Sequence, residues 1–553
     1  MTAVTYARLR ATDPGRWRAA AAAWRAWAAL AGRWSAELGP LVARLRSAWS
    51  GAAATAAFAR LGRLRRVLDL FRLLCWEADQ TLSEFAAALD RARTLLARAV
   101  ATATRAGLVI DDEGVVTTAA RSGGAALSRP RAGPYRADRA SQAGGAGQAA
   151  AQAGADQAMA ELSAALRLAA EADAAATSRL TDVAALAAAP DAPPAPATPL
   201  PPCTATAADV HRWWDTLTPE QRRWLTATEP GWLGPLDGVP AAFRDLANRL
   251  LLDDRRAELD RELDRAASGA CGSELPRVEG LRHGLGALAD RLAGDAGPRA
   301  YLLHLDLAGD GRAVVALGDP DRADNVLTQV PGMTADLASY GGELARAERV
   351  AVRAAQLGPS ASTSAVTWLD YDAPDFVDEA AGAGRAEAGA ERLRRFQDGL
   401  RATHDGGPAH QTVLGHSYGS LVVGTAATGP GLDADSVVFV GSPGVGVDSA
   451  AHLSVPPGQV WSTTSRSDII QYAAVAPRSV IEDLVTAGTV PLIGPAVAFA
   501  TPEDELWFGR NPSDSAFGAR VFTSQPDAGH LGYWDPGRPA LDAITSITLG
   551  TAR

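Results

Sequence analysis

From residue 300 onward, short apolar runs alternate with segments of helical periodicity, and this alternation restricts the possible fold more than any other feature. The apolar runs cover residues 301–307, 313–317, 325–330, 365–369, 411–414, 436–440 and 459–464. Strands separated by helices form βαβ units, so the pattern predicts an α/β domain with a mostly parallel sheet. The first two runs flank a tight Gly-Asp-Gly turn at 309–311 and are expected to pair as an antiparallel hairpin.

The sequence contains no lysine, so all 53 basic residues are arginine. This excludes a P-loop lysine, a Schiff-base lysine and a Ser-x-x-Lys acyl-enzyme pair. The net charge of −10 argues against nucleic-acid binding. The cluster Arg60, Arg63, Arg65 and Arg66 is interpreted as a solvated helix face.

Neither a cofactor nor a metal site is predicted. No G-x-G-x-x-G follows a predicted strand, and the three cysteines lie far apart without a C-x-x-C pair. Asp319, Asp321 and Asp324 lack the turn glycine and closing glutamate of a calcium loop and are interpreted as a solvated loop.

The pattern G-x-S-x-G occurs at 415–419, between the apolar run 411–414 and a helical segment that ends near Gly429. This is the strand-to-helix turn in which a nucleophilic serine is held in a strained backbone, so small neighbours are required. Ser417 is therefore the candidate nucleophile. The oxyanion hole is expected to combine the N–H of Tyr418 with one from the loop after run 325–330, at Gly332 or Met333.

A serine nucleophile needs a histidine base, and the base needs a carboxylate that orients it. Only His452 and His530 follow Ser417 in the order nucleophile, acid, histidine, and His452 precedes the best acid. His530 is the predicted base and Asp468, in the loop after run 459–464, is the predicted acid. Asp448 and Asp435 are alternative acids.

Residues 205–550 resemble an actinobacterial α/β-hydrolase family of uncharacterised function. The motifs that carry this resemblance are GPLDGVP (234–240), RDLAN (244–248), VPGM (330–333), WLDYDAP (368–374), GHSYG (415–419), GSPG (441–444) and FGAR (517–520). The resemblance implies the α/β-hydrolase fold and serine hydrolase chemistry, without a known substrate.

Residues 13–100 show heptad-like apolar spacing, which predicts two helices that reverse at Trp49-Ser50-Gly51. Pro40 is expected to kink or split the first helix. The apolar stripes, each on one helix face, run from Trp17 through Trp24, Trp27 and Trp34 to Ala48, and from Leu61 through Phe71, Cys75 and Phe85 to Leu96.

This hairpin, with Trp-x-Gly at its turn, resembles the small helical substrates of type VII secretion systems. The resemblance implies a helical protein partner that docks on residues 13–100. A plain helical packing or dimerisation module is the alternative. The usual export signal after the hairpin is not evident, since the spacing from Tyr135 to Asp138 is one residue too short.

We predict three regions: the hairpin at 1–105, a β-hairpin with an Ala-rich helix and Pro-rich linker at 106–203, and the hydrolase at 204–553 with a helical extension at 204–295. The predicted function is a serine hydrolase that cleaves small-molecule or lipid esters. The alternative is a secretion-associated effector or binding protein with an inactive site. We predict no signal peptide and no transmembrane segment, and hence a cytoplasmic protein or one exported by a type VII-like route.

The connection from Ile469 to Gly529 is longer than the fold requires and contains the apolar stretch 484–500. Pro491, Pro495 and Gly488 interrupt that stretch, which argues against a membrane span. Two interpretations remain open, a cap over the acyl pocket and an additional core helix.

Overall fold

The structure is a computed structural model, and it describes residues 4–118, 138–188, 200–267 except Cys203, 275–294, 297–375, 382–468, 470 and 505–552. The chain forms two compact units, one made of Met1–Trp27 with Leu74–Pro190 and the other of Ala28–Leu73 with Asp191–Arg553. The cap or core segment predicted at 484–500 and the region of Tyr135 lie outside the described residues.

The N-terminal region is helical, as the sequence predicts. Its elements are α1 (Tyr6–Ala11), α2 (Pro14–Ala48), α3 (Ala52–Arg105), β1 (Leu108–Ile110), β2 (Val116–Thr118) and α4 (Asp138–Ala188). Gly51 takes a φ of +100° between α2 and α3, which lets the chain reverse at the predicted turn. Helix α2 continues through Pro40, so it is not split there. The strands β1 and β2 pair antiparallel on either side of residues 111–115 and form the β-hairpin predicted within 106–203.

The first apolar stripe is only partly the buried face of α2. The side chains of α2 that are buried are small ones, at Ala21, Ala28, Ala31 and Ser35, whereas the tryptophans are between 38% and 50% exposed. Small residues allow the two helix backbones to approach closely, so they form the contact face and the bulky indoles lie beside it. The second stripe is buried from Cys75 onward.

Each unit fixes its own part of the hairpin with polar contacts. In the first unit, Arg25 Nη2 pairs with Asp79 Oδ1 at 2.9 Å. In the second, Ser35 Oγ donates to Asp69 Oδ1 at 2.8 Å. Residues further along α2 thus meet residues earlier in α3, which defines an antiparallel hairpin. Whether it binds a helical partner of the type VII kind stays a prediction.

The rest of the chain is an α/β domain preceded by helices. The helices are α5 (Ala207–Asp215), α6 (Pro219–Thr228), α7 (Pro230–Leu233), α8 (Ala241–Ala267), α9 (Leu275–Ala293), α10 (Tyr340–Leu357), α11 (Gly384–Thr403), α12 (Gly419–Ala426) and α13 (Pro539–Thr548). The strands are β3 (Ala300–Asp306), β4 (Arg312–Leu317), β5 (Asn325–Val330), β6 (Thr363–Leu369), β7 (His410–His416), β8 (Ser436–Val440), β9 (Val460–Thr463), β10 (Glu505–Leu506), β11 (Gly509–Arg510) and β12 (Arg520–Val521).

Eight of these strands form one sheet in the order β12-β9-β8-β7-β5-β6-β4-β3. Strands β5 to β9 and β12 pair parallel, while β4 pairs antiparallel with both β3 and β6. All seven predicted apolar runs are strands of this sheet, and the predicted α/β-hydrolase fold with a mostly parallel sheet is confirmed. Strand β5 is buried along its whole length because helices cover both faces of a parallel sheet.

Helix α8 covers the free edge of the sheet at β3. Asp245 Oδ1 accepts from Leu302 N at 2.8 Å, and Asn248 Nδ2 donates to Leu302 O at 3.0 Å. Arg249 Nη2 donates to the carbonyl of Ala300 at 2.9 Å. Backbone groups that would otherwise form an exposed pairing edge are therefore satisfied by the α8 side chains of Asp245, Asn248 and Arg249.

The loop between β4 and β5 differs from its prediction at one position. Asp321 is buried, and its carboxylate accepts from Ala241 N and from Thr403 Oγ1, both at 2.6 Å. It therefore ties the first residue of α8 to the end of α11 rather than lying in solvent.

Among the residues described, none of the helices combines the length and the apolar character that crossing a bilayer requires.

Candidate active site

The candidate nucleophile lies where β7 passes into α12. Ser417 takes a φ of +53°, a strained conformation for a residue with a side chain, and it is 7% exposed. A Cβ on Gly415 would lie 2.5 Å from Ser420 Cα, and one on Gly419 would overlap the carbonyl of Val330. Both glycines of the motif are thus required by close backbone approach, as the sequence pattern predicts.

The loop after β5 lies against this serine. A Cβ on Gly332 would be 2.5 Å from Ser417 Cβ and 3.1 Å from Ser417 Oγ, so the loop backbone passes directly beside the hydroxyl. Tyr371 Oη donates to the carbonyl of Pro331 at 2.7 Å, which holds the loop in place. Gly332 therefore lies beside Ser417, in the loop where the second oxyanion donor is predicted, and Met333 is the next residue of that loop.

The predicted acid and base are hydrogen-bonded. His530 Nδ1 lies 2.9 Å from Asp468 Oδ1 and 3.0 Å from Asp468 Oδ2. Asp468 is fully buried, whereas 28% of the His530 side chain is exposed. Since Nδ1 faces a carboxylate, it carries a proton, and Nε2 is left to act as an acceptor. This arrangement suits a general base.

Tyr533 completes the shell around the acid and was not among the predicted site residues. Its hydroxyl donates to Asp468 Oδ2 at 2.6 Å and accepts from Ser465 N at 2.8 Å. Burial, then the adjacent Asp468 carboxylate, raises the pKa of Tyr533 well above its usual value, so the hydroxyl keeps its proton. The sequence could have indicated a role for Tyr533, because it follows His530 by only three residues in a short loop.

His416 contacts His530 through a hydrogen bond and through its ring. Its Nε2 lies 2.9 Å from the carbonyl oxygen of His530, and the two rings are 4.7 Å apart. Burial, and after it the electrostatic influence of the neighbouring His530, lowers the pKa of His416 well below its usual value, so the His416 ring is neutral. Because a carbonyl only accepts, Nε2 is the protonated nitrogen and donates to it. His416 thus holds the backbone of His530, the predicted base, in place.

Gly441, at the end of β8, leaves room for the acid–base pair. It takes a φ of +54°, and a Cβ there would lie 2.6 Å from Asp468 Oδ2 and 3.3 Å from His530 Nδ1. The loops after β5, β7, β8 and β9 therefore meet at the carboxyl edge of four neighbouring strands, where α/β sheets place their sites.

Within the described part of the chain, Ser417 Oγ and His530 Nε2 are not hydrogen-bonded, which is common in unliganded hydrolases.

The alternative residues have other partners. Asp448 Oδ1 accepts from Arg510 N at 3.2 Å, and Asp435 Oδ2 accepts from Gln411 N at 2.8 Å. His452 lies in a short 3₁₀ turn, Ala450–His452. In the ranges that the structure covers, no group of three or more His, Cys, Asp or Glu side chains could hold a metal ion.

The sheet order and the serine at the strand-to-helix turn define an α/β-hydrolase fold. Comparisons with known proteins agree, since a family model described as alpha/beta hydrolase matches residues 306–477. The uncharacterized protein Mb0988c of Mycobacterium bovis is 34% identical over 219 residues, which cover 37% of this chain and 80% of that protein. The chain belongs to this alpha/beta-hydrolase family, as the resemblance in its sequence predicted.

A longer match extends beyond the family region. The uncharacterized protein Rv2079 of Mycobacterium tuberculosis is 30% identical over 383 residues, which cover 64% of this chain and 57% of that protein. The chain therefore spans just over half the length of this relative. No solved structure shows significant similarity to the chain.

Proposed function

We propose that the protein is a serine hydrolase that cleaves carboxylic esters, with Ser417 as nucleophile, His530 as base and Asp468 as the orienting acid. The observation that supports this most strongly is the buried Asp468 carboxylate on His530 Nδ1, at the same sheet edge as a serine with positive φ. Burying a carboxylate costs free energy unless it is paired and hydrogen-bonded. A histidine with only a surface role would not require such a buried partner.

In the proposed reaction, Nε2 of His530 takes the proton of Ser417 Oγ as the oxygen attacks the ester carbonyl. Asp468 holds the imidazole in the tautomer that leaves Nε2 free and stabilises the imidazolium that forms. The negative charge on the carbonyl oxygen is stabilised by the backbone N–H groups of Tyr418 and of Gly332 or Met333. His530 then protonates the alcohol that leaves, and water attacks the acyl-enzyme by the same route.

Two features of the structure favour this use of the site. Gly332 is packed against Ser417, and Tyr371 anchors its loop, so the backbone donors are preorganised. The Asp468 carboxylate accepts from both Tyr533 Oη and Ile470 N, which fixes its orientation toward the imidazole. Preorganisation of this kind lowers the barrier because no reorientation is needed during the reaction.

The decisive test is covalent labelling of the full chain with a fluorophosphonate probe. Ser417→Ala should abolish labelling and lower the turnover of a p-nitrophenyl ester by about 10³-fold or more. Ser420→Ala is the matched control, because Ser420 is a buried serine three residues away whose hydroxyl donates to the carbonyl of Gly415. It should still label. Labelling of Ser417→Ala at wild-type level would refute the proposal, as would a folded wild-type chain that is not labelled.

A further inference from the structure

The tip of the α2–α3 hairpin, residues 33–67, has a charge opposite to that of the whole protein. It contains seven arginines and a single acidic residue, Glu37, which gives a net charge of +6 in a chain whose total is −10. The arginines are Arg33, Arg44, Arg46, Arg60, Arg63, Arg65 and Arg66. Such a local reversal of charge in an acidic protein indicates a surface that faces an anionic partner.

The same tip exposes large apolar side chains in helical rows. On α2, Trp34, Leu41 and Leu45 are spaced by seven and four residues and are 43% to 47% exposed. On α3, Leu64 and Val67 are spaced by three residues, and Leu64 is 54% exposed. Residues at these spacings lie on one face of a helix. Each helix of the tip therefore carries an apolar row on its surface.

Most of the tip arginines are not paired with a carboxylate in the part of the chain that the structure describes. Arg65 lies 4.0 Å from Asp69, and the Arg46 guanidinium lies over the ring of Phe58 at 5.5 Å. The other five have no acidic partner among the residues that the structure describes. Elsewhere in the same unit arginines are commonly paired with carboxylates, as Arg249 is with Asp245. The tip thus keeps its positive charge available at the surface.

The tip belongs to the same compact unit as the hydrolase core. Arg72, one turn beyond the tip on α3, is buried, and its guanidinium donates to Leu250 O at 2.7 Å, Asp254 Oδ1 at 2.8 Å and Asp253 Oδ2 at 3.1 Å on α8. These bonds attach the hairpin to the helix that covers β3. Binding at the tip would therefore position the hydrolase core as well.

We propose that the hairpin tip binds the surface of an anionic lipid bilayer, with its apolar rows in the interface and its arginines on lipid phosphates. Apolar rows flanked by cationic side chains are the pattern of helices that lie in a membrane interface. Trp49, at the turn, is 43% exposed, and tryptophan favours the headgroup level. A purely acidic polypeptide would match the charge, but it would leave the half-exposed tryptophan and leucine rows without an apolar partner.

The test measures binding of the full chain to sedimentable vesicles of phosphatidylcholine alone or with about 30 mol% phosphatidylglycerol. The wild type should bind the anionic vesicles at least tenfold more tightly. Arg60→Glu/Arg63→Glu should remove most of this preference, since each arginine near an anionic surface contributes roughly fivefold. Arg261→Glu/Arg265→Glu, on the exposed side of α8, is the matched control and should change binding less than about twofold.

A second variant separates membrane insertion from simple charge attraction. Leu45→Ser/Leu64→Ser keeps the net charge, and it should weaken binding to the anionic vesicles by about tenfold or more if the rows enter the interface. Equal binding to both vesicle types, or binding that neither tip variant weakens, would overturn the proposal. So would binding to an acidic polypeptide such as polyglutamate without binding to vesicles. Ser417→Ala should bind like the wild type, so the result does not depend on the proposed chemistry.

Discussion

Removing the hydroxyl of Tyr533 tests how the acid of the proposed site is held. In Tyr533→Phe the ring stays in its fully buried position, but two hydrogen bonds are lost, one to Asp468 Oδ2 at 2.6 Å and one from Ser465 N at 2.8 Å. The first is assisted by the charge of the carboxylate. The second leaves a buried backbone N–H without its acceptor.

The magnitude follows from those two losses. A hydrogen bond to a charged group contributes about 1.5–3 kcal/mol, and an unsatisfied buried donor costs about 1–3 kcal/mol. Because the two effects share one side chain and do not simply add, we expect the free energy of unfolding to fall by about 3 kcal/mol. The carboxylate also loses one of its restraints, so we expect kcat/KM to fall between about tenfold and hundredfold.

Tyr340→Phe is the matched control. Tyr340 is another fully buried tyrosine, and its hydroxyl donates at 2.8 Å to the carbonyl of Thr367, a neutral group that lies within β6. We expect a loss of about 1 kcal/mol and an unchanged kcat/KM. Urea unfolding gives the stabilities, and hydrolysis of a p-nitrophenyl ester gives kcat/KM. A folded Tyr533→Phe with kcat/KM within about twofold of the wild type would show that Asp468 is held without Tyr533.

Three further predictions concern pH, the sheet edge and the loop beside the nucleophile. Burial lowers the pKa of His416 in the folded protein, so below about pH 6.5 the unfolded chain binds a proton that the folded protein does not. The free energy of unfolding should therefore be constant with respect to this group above about pH 6.5 and fall by up to about 1.4 kcal/mol per pH unit below it. Urea unfolding of His416→Gln between pH 5 and 8 should lack this dependence. Asp245→Ala removes the carboxylate that the buried side chains of Arg249 and Arg299 and the amide of Leu302 in β3 all bond. It should cost about 3–5 kcal/mol in urea unfolding, and a cost below about 1 kcal/mol would contradict the role of α8 as an edge cover. Gly332→Ala places a Cβ 2.5 Å from Ser417 Cβ and should slow fluorophosphonate labelling at least about tenfold, whereas Gly342→Ala, which meets no atom within 4 Å, should label normally.

Local sequence pattern was sufficient to predict the strands and the strand-to-helix turn that carries Ser417. The runs 325–330 and 436–440 coincide with β5 and β8, because buried parallel strands are continuously apolar and end at turn residues. Ser417 could be placed because its strained backbone and its two close glycines depend on neighbours in sequence. Asp468 and His530 required the chain order that the hydrolase fold imposes, since they are far from Ser417 and from each other in the sequence.

The other features of the fold and of the candidate site depend on packing between segments that are distant in the sequence. Periodicity shows that α2 has a bulky apolar row, but only the close approach of α3 determines that the small residues from Ala21 to Ser35 form the contact while the tryptophans stay half exposed. Asp321 looks solvated in its local sequence and is buried because the start of α8 and the end of α11 both meet it. The hydrogen bond of Tyr533 to Asp468 and that of His416 to the His530 carbonyl arise where separate loops meet. Sequence patterns record short-range preferences, whereas these contacts exist only after the sheet has brought its strand ends together.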